Sequence, residues 1–188
     1  MEYHPYKFNQ KDIDKRIEVK FTTNVNELPT LKRWIKLNKY GFKKHFKDRF
    51  INNIYFDSIN SDSFEENIIG LDNRFKLRIR WYGELKILKD AYFESKIKKN
   101  SIGYKVKEKL KDDIYLQTLT NQKIKKSLLK LENPFLRNLY QFRSIPILVN
   151  RYKRSYFLSN CKKFRITIDI LNNIYKIRKN KFTPLKYK

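Results

Sequence analysis

The sequence predicts an α+β fold of mostly antiparallel strands, arranged as an open sheet, two sheets or a barrel, with helices packed outside. Period-two apolar/polar alternation recurs in seven short runs. Stretches with apolar residues at helical spacing separate some of those runs. The polar faces of the runs are mostly basic, which gives this sheet two chemically opposed sides.

The first run is Lys15 to Phe21, with Ile17, Val19 and Phe21 opposed to Arg16, Glu18 and Lys20. A helix follows. Asn26 is its candidate cap, Leu28, Leu31 and Ile35 form its stripe, and Gly41 ends the segment or its extension. The second run is Phe50 to Ser58, and the stretch 61–70 predicts a short helix stopped by Gly70. The third run, Arg74 to Tyr82, alternates without a fault: Phe75, Leu77, Ile79 and Trp81 against Lys76, Arg78 and Arg80. Tyr92 to Lys98 is the fourth run; the composition of 100–103 predicts a turn, and Tyr104 to Leu110 is the fifth. Ile124, Leu128 and Leu131 mark a third helix, and a fourth starts after Asn133-Pro134. Pro146 to Phe157 and Lys163 to Ile170 are the last two runs.

The chain of 188 residues carries 44 Lys and Arg against 19 Asp and Glu, a formal charge of +25. That imbalance costs stability through self-repulsion unless an anion compensates it. Compositional drift is a competing reading of the lysine excess, since Asn and Ile are abundant too, so the placement of charge decides more than its sum. Hydrophobic residues make up 40%, enough for one core and a single domain. The lone Cys161 excludes an intrachain disulfide, and His4 and His45 have no ligand-like spacing for zinc. No apolar run reaches the roughly 20 residues of a membrane helix, and no signal-peptide core is present, so a cytoplasmic protein is expected.

A one-sided sheet would present its polar face to water, usually as a mixture of Thr, Ser, Gln, Glu and Lys. Here arginine is placed repeatedly on that face, and its fixed fork of donors suits phosphate oxygens. Glu18 and Lys20, Lys76, Arg78 and Arg80, then Glu94, Lys96 and Lys98 lie on such faces. So do Lys105 and Lys107, Tyr152 and Arg154, and Arg165, Thr167 and Asp169. In the interior of a barrel these cations repel. One like-charge pair at about 4 Å costs roughly 4 kcal/mol at an effective dielectric near 20. A socket for linked phosphates explains the pattern.

The motifs resemble those of the polyphosphate polymerase (VTC) domain, a family of the triphosphate tunnel metalloenzymes related to the CYTH group. "RIEVKF" resembles the opening E-x-K-[FY] strand and "NIYFDS" the second-strand signature. "RFKLRIRWY" resembles the K-x-R-x-R strand, and "FESKIKKNSIGYKVK" the E-x-K strand with its Lys-bearing hairpin. "VNRYKRSYF" resembles the Y-x-R strand and "FRITIDI" the R-x-T-x-D strand. No one piece is specific; six in the family's order, over about residues 15 to 170, are.

The resemblance implies about eight antiparallel strands around a tunnel that binds ATP, triphosphate or polyphosphate. It implies transfer of the ATP γ-phosphate to a polyphosphate chain with Mn or Mg. Carried onto matching positions, Lys20, Arg78, Arg80, Lys96, Lys105, Arg154 and Arg165 are phosphate ligands, with Lys76 and Lys98 as further candidates. Among these, Arg78, Arg80, Lys96, Arg154 and Arg165 are expected to act on the transferred group. Glu18 and Glu94 either position lysines by ion pairing or hold the metal through water.

The family's final [VI]-L-E-x-K signature, whose Glu binds the metal, is not found, and the expected domain over 1–188 lacks the closing strand and helix unless "NIYKIRK" substitutes. Arg16 stands where the broader CYTH pattern has another Glu, which favours the polymerase branch. An inorganic triphosphatase and a polyphosphate-binding domain without turnover therefore stay open. Nucleic acid fits less well, because the aromatic residues mostly alternate away from the cations, so DNA is not an expected partner.

Overall fold

The structure is a computed structural model that describes residues 17–100, 102–178 and 181–184. Its centre is a seven-stranded antiparallel sheet. The strands are β1 (Lys43–Asp57), β2 (Arg74–Tyr82), β4 (Tyr92–Lys99), β5 (Ile102–Lys109), β7 (Ile145–Leu158), β8 (Arg165–Arg178) and β9 (Lys181–Pro184). Their order across the sheet is β5-β4-β2-β1-β7-β8-β9, and the edge strands β5 and β9 do not pair with each other, so the sheet is open. Two short strands, β3 (Ile87–Leu88) and β6 (Ile114–Tyr115), form a separate pair.

Four helices accompany the sheet: α1 (Leu28–Leu37), α2 (Asp62–Ile68), α3 (Asn121–Leu129) and α4 (Pro134–Phe142). Local chemistry sets their starts. The Thr120 hydroxyl accepts from the Lys123 amide at 3.1 Å and caps α3. Asn133 accepts from the Phe135 and Leu136 amides, and Pro134 supplies the fixed φ of a first helical residue for α4. The Glu108 carboxylate on β5 accepts from the Glu132 and Asn133 amides, which ties this helix start to the sheet edge. Asp57, at the end of β1, accepts from the Ser63 and Phe64 amides and so seats α2.

The apolar side chains of the sheet point towards α3 and α4. Phe56, Leu77, Ile79, Trp81 and Phe93 join Ile124, Leu128, Leu136, Leu139 and Tyr140 in one core. Full burial of such a side chain contributes about 1.5–3 kcal/mol, so this layer decides which way every strand faces. Phe56, Phe93 and Tyr140 meet edge to face, with Phe56 and Tyr140 centroids 5.8 Å apart. Trp81 satisfies its indole N–H on the Glu84 carbonyl at 2.8 Å.

One buried arginine belongs to this layer. Arg143 bonds the Ser63 hydroxyl, the Phe75 carbonyl and the Glu66 carboxylate, and it stacks 3.7 Å from the Phe75 ring centroid. It fastens α2 to the start of β2 and faces away from the basic side.

Six of the seven predicted strands are present; the first is not. Residues 17–24 have no regular secondary structure, and Ile17 and Phe21 are 94% and 90% exposed. Alternation is necessary for a half-buried strand, but a ladder partner is also required, and this segment has none among the described residues. Lys15 and Arg16 lie outside the described residues. At the other end the predicted seventh strand runs on: of "NIYKIRK", Asn173 to Arg178 continue β8 past a left-handed Leu171 (φ 55°), and Lys179 lies outside the described residues. Register shifts between Arg151 and Lys153 on β7, and at three places along β1, mark bulges of the kind that curl a sheet.

Candidate functional site

Period two and the register together build the polar face. Lys105, Lys96 and Lys76 lie side by side across β5, β4 and β2. The neighbouring row is Lys107, Glu94, Arg78 and Tyr55, from β5 to β1. The next is Tyr92, Arg80, Asn53 and Asn150, from β4 to β7. Further along, Arg49, Arg154 and Asp169 are partners on β1, β7 and β8.

Glu94 is the hub. Its side chain is only 6% exposed, and Arg78 donates to its Oε2 from Nη2 at 2.6 Å and from Nε at 2.8 Å. Lys105 Nζ reaches Oε1 at 3.0 Å, and Arg80 Nε lies 4.0 Å from Oε2. Burial opposes ionisation of Glu94, but Arg78, Arg80 and Lys105 outweigh it and hold the carboxyl below its ordinary value. Burial is also the main reason that Lys105 is held below the usual lysine range; Glu94 only partly restores it. Lys76 is lowered too, first by burial and then by Arg74, Lys20 and Lys96. Three cations therefore share one carboxylate, and Lys105 and Lys76 hold their protons less tightly than an ordinary lysine.

Arg80 is secured differently. Its Nε donates to Asn53 Oδ1 at 2.8 Å, and Nη2 reaches the Tyr152 hydroxyl at 3.5 Å. Asn53 donates in turn to Asn150 Oδ1 at 2.7 Å. Arg154 stacks 5.1 Å from the Tyr152 ring centroid and makes a two-pronged pair with Asp169, both contacts at 2.6 Å. Burial disfavours the Arg154 charge, and Asp169 overrides it, raising the guanidinium above its ordinary value.

The predicted residues thus divide. Arg78, Arg80 and Lys105 converge on Glu94, with Lys96 and Lys76 in the adjoining row and Arg154 joined through Tyr152. Lys76 donates to Asn67 at 2.7 Å. Lys98 instead pairs with Asp72 at 3.3 Å. Lys20 is on the irregular segment and 80% exposed; Glu18 on the same segment lies 3.6 Å from Lys96 and 3.9 Å from Lys20. The segment crosses the basic face without joining the sheet. Arg165 is exposed, four residues along β8 from Asp169, which is about 13 Å of strand. The structure does not bring it into the cluster.

Asn53 and Asn150 escaped the sequence reading. Asparagine is depleted in strands and carries no charge, so neither the alternation nor the cation pattern marks it. The only signal is position: Asn53 is two residues before Tyr55 on the polar parity of β1.

The carboxylates do not fit a metal held by the protein. Among the described residues no three His, Cys, Asp or Glu side chains gather. Both Glu94 oxygens are engaged by cations, and Glu18 faces lysines. Their geometry is that of ion-pair partners.

No helix among the described residues is long and apolar enough to cross a membrane. No curated protein matches the chain. The VTC domain family model matches residues 15–183, and that span includes every strand of the basic face, with the E-x-K and K-x-R-x-R pairs adjacent in one antiparallel sheet. The chain therefore belongs to the VTC domain family, within the triphosphate tunnel superfamily, and its function is related to polyphosphate.

Proposed function

We propose that this domain binds ATP and polyphosphate on its basic face and transfers the ATP γ-phosphate to the end of the polyphosphate chain. The observation that carries the reading is the cluster of Arg78, Arg80 and Lys105 on the single buried carboxylate of Glu94. Its uncompensated charge and its forked donors match linked phosphates.

Little general-base chemistry is needed. A terminal polyphosphate oxygen is already anionic. It forms a bond to the γ-phosphorus as the bond from that phosphorus to the β,γ-bridging oxygen breaks, and ADP leaves with the electron pair. The protein contributes alignment and charge neutralisation. Arg78 and Arg80 are proposed to hold the transferred group, with Lys105, Lys96 and Lys76 along the chain and Arg154 towards the other end. Glu94 fixes Arg78 and Lys105 in place before substrate arrives.

Incubation with ATP, Mn or Mg and short polyphosphate, followed by gel analysis, tests this. Longer chains with matching ADP are the expected result. Phosphate release without growth would identify a triphosphatase instead, and retention without turnover a binding domain. Tighter binding to single-stranded DNA than to polyphosphate across a salt series would overturn the phosphate-polymer reading itself.

A further inference from the structure

We propose that Asn53 is a positioning residue that holds Arg80 in place without adding a counter-charge, so that the charge can serve a bound phosphate. This rests on the phosphate-binding reading above and adds a residue to it. Arg78 and Arg80 sit one strand step apart on the same face, but their anchors differ in kind. Arg78 is clamped by a carboxylate, which spends much of its charge. Arg80 is clamped by a neutral amide at 2.8 Å, with Glu94 beyond hydrogen-bonding distance at 4.0 Å.

The amide orientation follows from donor arithmetic. A guanidinium only donates, so Asn53 must present its oxygen to Arg80. Its NH2 group is then directed to Asn150, which must present an oxygen in turn, and the 2.7 Å contact is that bond. Asn53 is fully buried, and Asn53 is the Cα partner of both Arg80 and Asn150. Three adjacent strands are thus tied at one row, and Arg80, only 12% exposed, has few other places to go. A carboxylate at position 53 would hold Arg80 as firmly and cancel it. A neutral acceptor separates placement from neutralisation, so Arg80, offset only by the longer 4.0 Å approach to Glu94, keeps more of its charge than Arg78 for an incoming oxyanion in a setting where water screens it weakly.

The test compares N53D and N53A with the unaltered chain, by tripolyphosphate titration and thermal melting. N53D is expected to bind at least about tenfold more weakly, equivalent to about 1.4 kcal/mol, with a melting temperature no lower than that of the unaltered chain. N53A is expected to melt lower and to lose less binding than N53D. A merely structural Asn53 makes binding and stability fall together. N53D binding like the unaltered chain, or N53A binding worse than N53D, overturns the proposal. Should the unaltered chain hold no tripolyphosphate, the phosphate-binding reading is what fails. The positioning role is then read by NMR from the Arg80 Nε–H signal: slow exchange that is lost in N53A supports it, and exchange unchanged by N53A refutes it.

Discussion

The two halves of the basic face solve the same electrostatic problem in opposite ways. On β2, β4 and β5, three cations share Glu94, and a further row of Lys105, Lys96 and Lys76 runs beside it. On β7 and β8, Arg154 and Asp169 pair one to one, with a shared two-pronged contact. The first half is left positive; shelter does not separate the two, since Arg78 is 22% exposed and Arg154 25%. In the second, Arg154 has a carboxylate of its own, Arg49 meets the Tyr156 hydroxyl and the Tyr82 ring, and Arg165 is exposed. Counting basic residues treats the halves alike; counting partners does not. The larger uncompensated charge, and with it the expected grip on phosphate, lies on the β2–β4–β5 side.

The largest effect that would sharpen this contrast is the loss of a forked donor. R78A and R80A are each expected to weaken polyphosphate binding about 10- to 100-fold, from the loss of charged hydrogen bonds of about 1.5–3 kcal/mol. Equilibrium titration at fixed salt measures it, and R154A should cost clearly less.

Next comes E94Q. Because the folded carboxyl lies below its ordinary 4.5, its stabilising contribution is present above that value and is lost as pH falls through the folded one. Removing a buried partner from this cluster should cost about 2 kcal/mol or more at neutral pH. Urea melts should show that gap between E94Q and the unaltered chain closing as the pH is lowered past the carboxylate range. A gap of constant size would mean that Glu94 is not the hub.

Binding should also weaken in alkaline solution before ordinary lysines titrate, since burial holds Lys105 and Lys76 below their usual value. A bound phosphate chain stabilises their charged forms, so complex formation there should take up protons, which calorimetry in buffers of different ionisation enthalpy detects. A smaller change is expected from D169N. Freeing Arg154 from its counter-charge should tighten binding about two- to fivefold at low salt, with the gain shrinking as salt rises.

Much of this could be read from the chain before any coordinates. Phe75 to Trp81 alternates so regularly that both the strand and its orientation followed, because four large apolar side chains can satisfy only one face. The helical stripe of α3 was legible for the same reason, and the start of α4 from Asn133-Pro134. The edges were not. Ile17, Val19 and Phe21 alternate as well as β2 does, yet pairing depends on a distant partner that local pattern does not encode. The reach of β8 to Arg178 was hidden by Leu171-Asn172-Asn173, which has the composition of a turn; Leu171 and Asn172 form a bulge, and Asn173 resumes the pairing opposite Arg151. At the site, charge made the cations visible and left their neutral anchors unseen. Asn53 and Asn150 matter through one register row across three strands, and a row is a property of pairing.

The claim on which the account depends is that position, and not total charge, decides phosphate binding. Two double substitutions test it with equal charge removed. R78A/R80A strips the β2–β4–β5 half of the basic face, while K123A/K126A strips exposed lysines of α3 on the opposite side of the sheet. In parallel titrations with tripolyphosphate at one ionic strength, the account predicts that binding collapses in the first and stays within about twofold in the second. Equal losses in the two would contradict it.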